Sequence, residues 1–126
     1  RPFVSTELIE STIRACVNFD GVVAAVKATD TVKIVTRGRR VQKTLDRNKI
    51  WLAQTPQTFK KKKLNKALLS AQKKNIIRTD EATIMEEMGY SVGIIEGSNR
   101  NIKITTREDW RHAEAIMSLT SSEQNL

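Results

Sequence analysis

The chain has one cysteine, Cys16, and one histidine, His112, among 126 residues. One cysteine cannot close an internal disulfide. With no Cys/His spacing pattern either, the sequence reads as that of a protein from a reducing compartment. A lone histidine offers no His-based metal site and no His–carboxylate catalytic arrangement. Aromatic residues make up 5% of the chain, and no RNA-module signature accompanies them, which argues against a base-stacking platform. No apolar run is long enough to span a bilayer, and the N-terminus does not resemble a signal peptide. The expectation is a soluble, cytoplasmic protein with no membrane partner. There are no internal repeats and no linker, so the sequence is one domain or part of one. If complete, such a domain buries roughly two-thirds of its unfolded surface.

What the chain does have is positive charge. Its net charge is +8 and its pI is about 9.9, which indicates an anionic partner: a nucleotide, a phosphorylated metabolite, nucleic acid or a membrane surface. The basic runs are Lys60–Lys63, Lys73 with Lys74, and the Arg37/Arg39/Arg40 group. They could form a nucleic-acid surface. The lysines, however, flank a helix whose other face is apolar, and a solvated face explains them better.

Helix and strand signals alternate from the start. Ser5 reads as an N-cap, followed by Leu8, Ile9, Ile13, Cys16 and Val17 along one helical stripe. Cys16, on that stripe, reads as a small core residue. Gly21–Val26 is a short β-branched apolar run, expected to be a strand buried on both faces. Thr31–Val35 and Val41–Leu45 alternate around Arg37–Arg40, which predicts a hairpin with few core-facing residues. A two-stranded ribbon is marginal alone and needs a surface to lie on, such as a partner subunit. Trp51–Phe59 returns to the body and is expected to break at Thr55–Pro56. Lys62–Asn75 predicts an amphipathic helix through Leu64, Ala67, Leu68 and Ala71. Alternation of this kind places the chain in the α/β class.

From Thr79 onward the sequence reads TDEATIMEEMGYSVGIIEGSNRNIKITT. Thr79 is expected to cap a helix carrying Asp80 and Glu81 in its first turn, where the helix dipole favours acidic residues, and Gly89 to end it. Strands are expected over Val92–Ile95 and Ile102–Thr105, with Gly97–Arg100 turning between them. Thr106–Asp109 has a capping-box pattern opening a last helix through Trp110, Ala113, Ile116 and Met117. His112 reads as a surface residue of that helix, and the polar tail from Ser121 as frayed.

Two positions here invite a functional reading. Lys103 stands between Ile102 and Ile104, where a buried unpaired charge is costly; it either reaches out at a strand end or faces a bound anion. Thr79 is either a cap alone or a cap that also donates to a phosphate. Arg1, Thr31, Arg47 and Thr55 are weak individually. Together these residues form a set of donors with neither carboxylate nucleophile nor catalytic base, which suits phosphoryl chemistry, where positioning and charge stabilisation do most of the catalysis.

Five blocks carry a resemblance: Arg1-Pro2-Phe3-Val4, Thr44-Leu45-Asp46-Arg47-Asn48, Gln54-Thr55-Pro56-Gln57-Thr58-Phe59, Thr79-Asp80-Glu81-Ala82, and Glu96-Gly97 with Asn101-Ile102-Lys103-Ile104-Thr105. In this order and spacing the sequence resembles the 2-C-methyl-D-erythritol 4-phosphate cytidylyltransferases. The resemblance implies part of a Rossmann-like nucleotidyltransferase domain with a protruding β-hairpin arm. Residues 1–126 would be the C-terminal part of that single domain and 27–49 its dimerisation arm. It implies transfer of CMP from CTP to methylerythritol phosphate with release of pyrophosphate, in non-mevalonate isoprenoid biosynthesis. CTP and methylerythritol phosphate would be the partners, in a homodimer, with Mg2+ bound mainly through the CTP phosphates.

The resemblance further implies that Thr55, Thr79, Lys103 and Arg47 donate to the substrate phosphate, Arg47 from across the dimer. Arg1 and Thr31 would contact the methylerythritol hydroxyls. Lys103 is the implied catalytic residue, holding the attacking phosphate in line. The family's glycine-rich CTP loop, its cytosine-recognising segment and the Asp-Ala-Ala before Arg-Pro have no counterpart here, so this chain is expected to be inactive and poorly folded alone. Ribitol-5-phosphate cytidylyltransferase is the near alternative, although Thr79-Asp80 is there usually followed by Ala-Cys. A non-catalytic basic dimerising or nucleic-acid-binding module is the distant one.

Overall fold

A computed structural model describes the backbone of residues 1–123 and side chains as far as residue 120. Helix α1 (Thr6–Ala15) begins at Ser5, whose hydroxyl accepts the Leu8 amide at 3.1 Å, a cap worth about 1 kcal/mol. Strand β1 (Gly21–Lys27) follows, with Gly21–Ala25 buried without interruption, so both of its faces are covered as its apolar run predicts. Strands β2 (Lys33–Val35) and β3 (Val41–Thr44) form a separate antiparallel ribbon. A 3₁₀ turn at Arg47–Lys49 leads back into β4 (Trp51–Phe59). Helices α2 (Lys61–Lys73) and α3 (Glu81–Glu87), strand β5 (Val92–Glu96) and helix α4 (Arg107–Glu123) complete the order.

The main sheet is ordered β4-β1-β5, with β4 antiparallel and β5 parallel to β1. Helix α1 covers one face. Its Thr12 hydroxyl meets that of Thr58 at 2.7 Å, and Thr58 stands opposite Val22. The other face, with Gln57, Val23 and Ile94 in register, looks toward α3, where Gln57 reaches Asp80 at 3.3 Å. Helix α2 packs on α3. Val22, Ala24, Ala25, Ala67 and Met85 are fully buried, while Leu52 and Ile94 on the outer strands are about half exposed. This is the predicted α/β class, a mixed sheet with helices on both faces.

Several local expectations change. Thr55–Pro56 does not break β4; the strand runs through it with a cis peptide. The pre-proline restriction disfavours helix but is compatible with extended backbone, and β4 is a sheet edge among the described residues, where proline's missing N–H is tolerated. The register slips here. Val23 opposes Gln57 and Ala25 opposes Ala53, so Gln54–Pro56 bulge opposite Ala24. Residues 102–105 are not a strand, because their neighbours bond through side chains rather than a ladder. Arg1 holds the Asn101 carbonyl, and Asp109 takes the Thr105 and Thr106 amides at 2.9 and 2.8 Å. The capping box itself is present, the Asp109 amide donating to the Thr106 hydroxyl at 3.1 Å. Helix α4 continues through Glu123 where a frayed tail was expected from Ser121; residues 124–126 lie outside the described residues. In the ribbon turn it is Arg39, not Gly38, that takes positive φ, at 57°. Gly89, with φ of 75°, does end α3 as expected.

The basic run at Lys60–Lys63 is less free than a solvated face. Lys63 and Lys60 both reach the Asp20 carboxylate, at 2.6 and 3.4 Å, and the Lys63 ammonium lies 5.3 Å from the centre of the Tyr90 ring. Asp20 also accepts the Ser91 amide at 3.2 Å. The Lys63 hydrogen bond is the leading cause that holds the Asp20 carboxyl at about 2, below its usual 3.8. Asp20 thereby ties the start of α2 to the entries of β1 and β5.

Candidate functional site

At the β4 bulge the side chains of the sheet edge are re-aimed, as bulges commonly do. A cavity of about 360 Å³ opens there, lined by Arg1, Gln54, Thr55, Thr79, Asp80 and Lys103 among others. Four of the six residues singled out from the sequence therefore meet in one place: Arg1, Thr55, Thr79 and Lys103. They come from the chain start, the bulge, the approach to α3 and the segment after β5.

The expected cap is displaced by one residue. Asp80, not Thr79, is the N-cap of α3; its carboxylate accepts the Thr83 amide at 2.9 Å and the Thr83 hydroxyl at 2.7 Å. An aspartate outcompetes a threonine hydroxyl at this position because it can take both donors at once. The helix end is thus already occupied by a side chain, and Thr79 is left beside the cavity, exposed. Burial pushes the Asp80 carboxyl up, but the Thr83 amide and hydroxyl and the Gln57 amide outweigh it, and the net shift is downward. Hydrogen bonds from neutral donors leave the Asp80 carboxylate charged, so it offsets one of the two cations that line the cavity. Arg1 and Lys103 give the cavity a positive character suited to an anion. Burial lowers the Arg1 guanidinium from its ordinary value.

Behind the cavity wall lies a polar network that the sequence reading did not single out for function. Gln54, buried, donates to the Ser98 carbonyl at 3.0 Å. Asn101, buried, donates to the Thr55 carbonyl at 2.6 Å and to Gln54 Oε1 at 3.3 Å. Gln57 donates to the Gln54 carbonyl and to Asp80, both at 3.3 Å. Gly97 makes room for this network, since a Cβ there would stand 2.4 Å from Gln54 Oε1. The only signal in the sequence was their place inside the Gln54–Phe59 and Asn101–Thr105 blocks; amides in apolar strands give no periodic pattern.

Thr31 and Arg47 do not line this cavity. Both sit at the root of the β2–β3 ribbon, both exposed, with Arg47 donating to the Thr29 carbonyl at 2.6 Å. Lys27 stacks over Trp51 at 5.6 Å beside the same root. Among the other residues considered, His112 is exposed on α4. Cys16 is half-buried, donating to the Thr58 carbonyl at 3.4 Å, and burial raises its thiol, offset in part by Lys60. A low thiolate fraction fits a packing role. Among the described residues no group of three or more His, Cys, Asp or Glu could hold a metal ion, and no helix is long and apolar enough to cross a membrane.

The sequence profile described as IspD, 2-C-methyl-D-erythritol 4-phosphate cytidylyltransferase, matches residues 1–119. A 2-C-methyl-D-erythritol 4-phosphate cytidylyltransferase from Bacillus velezensis is 40% identical over 127 aligned positions, covering 100% of this chain and 54% of that protein. Of solved structures, the 4-diphosphocytidyl-2C-methyl-D-erythritol synthase of Anaerococcus prevotii superposes with a TM-score of 0.86 at 35% identity, covering 94% of this chain and 55% of the other. The Francisella tularensis 2-C-methyl-D-erythritol 4-phosphate cytidylyltransferase does so with a TM-score of 0.81 at 39% identity, covering 90% and 54%. The chain spans about half the length of the curated relatives it matches. Its sheet is accordingly part of their Rossmann-like nucleotidyltransferase fold, and the chain belongs to the 2-C-methyl-D-erythritol 4-phosphate cytidylyltransferase family.

Proposed function

We propose that the protein carrying this chain transfers CMP from CTP to 2-C-methyl-D-erythritol 4-phosphate, releasing pyrophosphate, in isoprenoid biosynthesis, and that this chain supplies its phosphate-acceptor site. The observation that carries the reading is the convergence of Arg1, Thr55, Thr79 and Lys103 on one cationic cavity in a chain of this family. In the proposed reaction an oxygen of the acceptor phosphate attacks the α-phosphorus of CTP. The bond between the α-phosphorus and its bridging oxygen to the β-phosphorus breaks, and pyrophosphate leaves with that bonding pair. Lys103 is the catalytic residue, its ammonium holding the attacking phosphate in line while offsetting repulsion between two anions. Thr55 and Thr79 donate hydroxyl hydrogens to the same phosphate. Arg1 contacts the polyol hydroxyls.

Thr31 and Arg47 complete the site from a second copy in this proposal. The exposed ribbon is the dimerisation arm, and its exposed apolar residues Ile34, Val35 and Val41 are the surface a partner would cover. Delivered across a homodimer, Arg47 adds a charge to the phosphate and Thr31 a hydroxyl contact to the polyol. The described residues provide no carboxylate or histidine cluster for a metal. In this proposal Mg2+ would be held mainly through the CTP phosphates, where it would supply charge neutralisation, and no step assigned to this chain runs through it. A cytoplasmic location belongs to the same reading.

The test is pyrophosphate release by the full-length protein with CTP, magnesium and methylerythritol phosphate, with ribitol 5-phosphate in a parallel reaction. Turnover with methylerythritol phosphate is expected. Turnover with ribitol phosphate alone, or with neither, would overturn the substrate assignment.

A further inference from the structure

We infer that Asn101 is a positioning residue that sets the geometry of the acceptor site from behind the cavity wall; the inference rests on the function proposed above. Asn101 is 1% exposed and one of the largest fully buried side chains. Its Nδ2 uses both hydrogens, one on the Thr55 carbonyl at 2.6 Å and one on Gln54 Oε1 at 3.3 Å. Turned over, the amide would set Oδ1 against those same two oxygens, so only the observed orientation bonds. The Asn101 carbonyl meanwhile accepts the Arg1 guanidinium, and its amide donates to the Ser98 carbonyl at 3.0 Å.

One residue thus couples three of the four donors. Arg1 is held by its carbonyl, Thr55 by its side chain, and Lys103 follows two residues later along the backbone. Asn101 does not itself line the cavity, so it acts through these groups rather than on a substrate. Its Oδ1 is buried with no hydrogen-bond partner, an arrangement that by itself destabilises the fold. Stability alone would favour a side chain without that orphan acceptor; the two donor bonds, one fixing the Thr55 backbone and one the Gln54 side chain at the bulge, account for an asparagine here. The segment after β5 has no ladder to hold it, and this pin takes the ladder's place.

The test is steady-state kinetics of the full-length protein with Asn101→Asp, which exchanges the donor for an oxygen at nearly constant volume. The KM for methylerythritol phosphate is expected to rise about tenfold or more and kcat to fall, while the KM for CTP stays within about twofold. A merely structural role would lower kcat through loss of active protein and leave both KM values unmoved, which would overturn the inference. Asn101→Ser keeps a hydroxyl donor able to serve one of the two acceptors, and an intermediate KM is expected. It carries the test if the aspartate variant does not fold, and loss of folding in both variants would assign Asn101 to the fold alone and overturn the inference. Wild-type protein without turnover on methylerythritol phosphate would remove the functional reading and the inference with it. Wild-type turnover with an unshifted KM in the variants would remove the inference alone.

Discussion

The cavity at the β4 bulge and the β2–β3 ribbon differ in how they hold their polar residues. At the cavity, Asn101 fixes Thr55 through its side-chain amide and Arg1 through its carbonyl, and is itself braced on Gln54. In the ribbon every strand residue is exposed, and Arg47 is held by a single carbonyl. The first arrangement is pre-organised within one copy of the chain. The second holds its groups out at a root with no buried network behind them, which is why the proposed function completes it from a second copy. Pre-organised donors gain catalytic strength because they need not reorder during reaction, whereas groups on an exposed ribbon would depend on the proposed partner copy.

The largest expected effect tests the pre-organised side. Lys103→Ala in the full-length protein is expected to lower kcat/KM for methylerythritol phosphate by about 10³-fold, followed by pyrophosphate release; an unaltered rate would remove its catalytic role. The ribbon side comes next, with Arg47→Ala expected to cost about 10- to 100-fold, the scale of a lost charge-assisted contact. Mixing the impaired Arg47→Ala and Lys103→Ala chains should raise activity above the sum of the two alone by pairing one intact arm with one intact cavity. Failure of the mixture to recover would mean that Arg47 acts within its own copy. A smaller change is expected from Thr79→Val, about 5- to 15-fold in KM for methylerythritol phosphate with the melting temperature unchanged, since Asp80 rather than Thr79 caps α3. A fall in melting temperature without a KM change would return Thr79 to a capping role.

The smallest effect lies away from both regions, in the Asp20 tie. Its carboxyl titrates at about 2 in the folded protein against a usual 3.8. The stabilisation is therefore present above about pH 4 and is lost as the pH falls from there through about 2. Asp20→Asn should lower the melting temperature at neutral pH, and the difference from wild type should close on acidification, read by circular dichroism. A constant difference across that range would place the effect in packing instead of charge.

What could be read from the sequence follows the same division. Gly21–Val26 declared a doubly buried strand because five apolar residues in a row leave no solvated face, and β1 is that strand. The ribbon was legible from its alternation and its poverty of core residues. The cavity was legible through its hydroxyls and cations, which stand out in their blocks, and through the family likeness that gave them an order. Residues 102–105 misled because alternation predicts a strand but cannot supply a neighbour to pair with. Thr79 misled by one position because threonine and aspartate are both good caps and only the fold shows which carries the turn. Asp20 escaped notice since its partners, Lys60, Lys63 and Ser91, are distant in sequence. Asn101 and Gln54 escaped because a buried amide has no periodicity and shows its value only through its partners.

The bulge in β4 also bears on what lengths of chain this site can tolerate. Three residues, Gln54–Pro56, stand opposite Ala24 alone, an excess of two over a regular ladder. Losing one of them would turn every side chain on one half of the strand to the opposite face, setting Thr58 away from Thr12 or Trp51 away from Lys27. Losing two would restore an unbroken ladder with every face conserved and would erase the donors at the bulge. Sheet and site are therefore separable by a deletion of even length: the ladder can close without the cavity, but Asn101 then loses at least one of its two acceptors and the segment after β5 loses part of its hold.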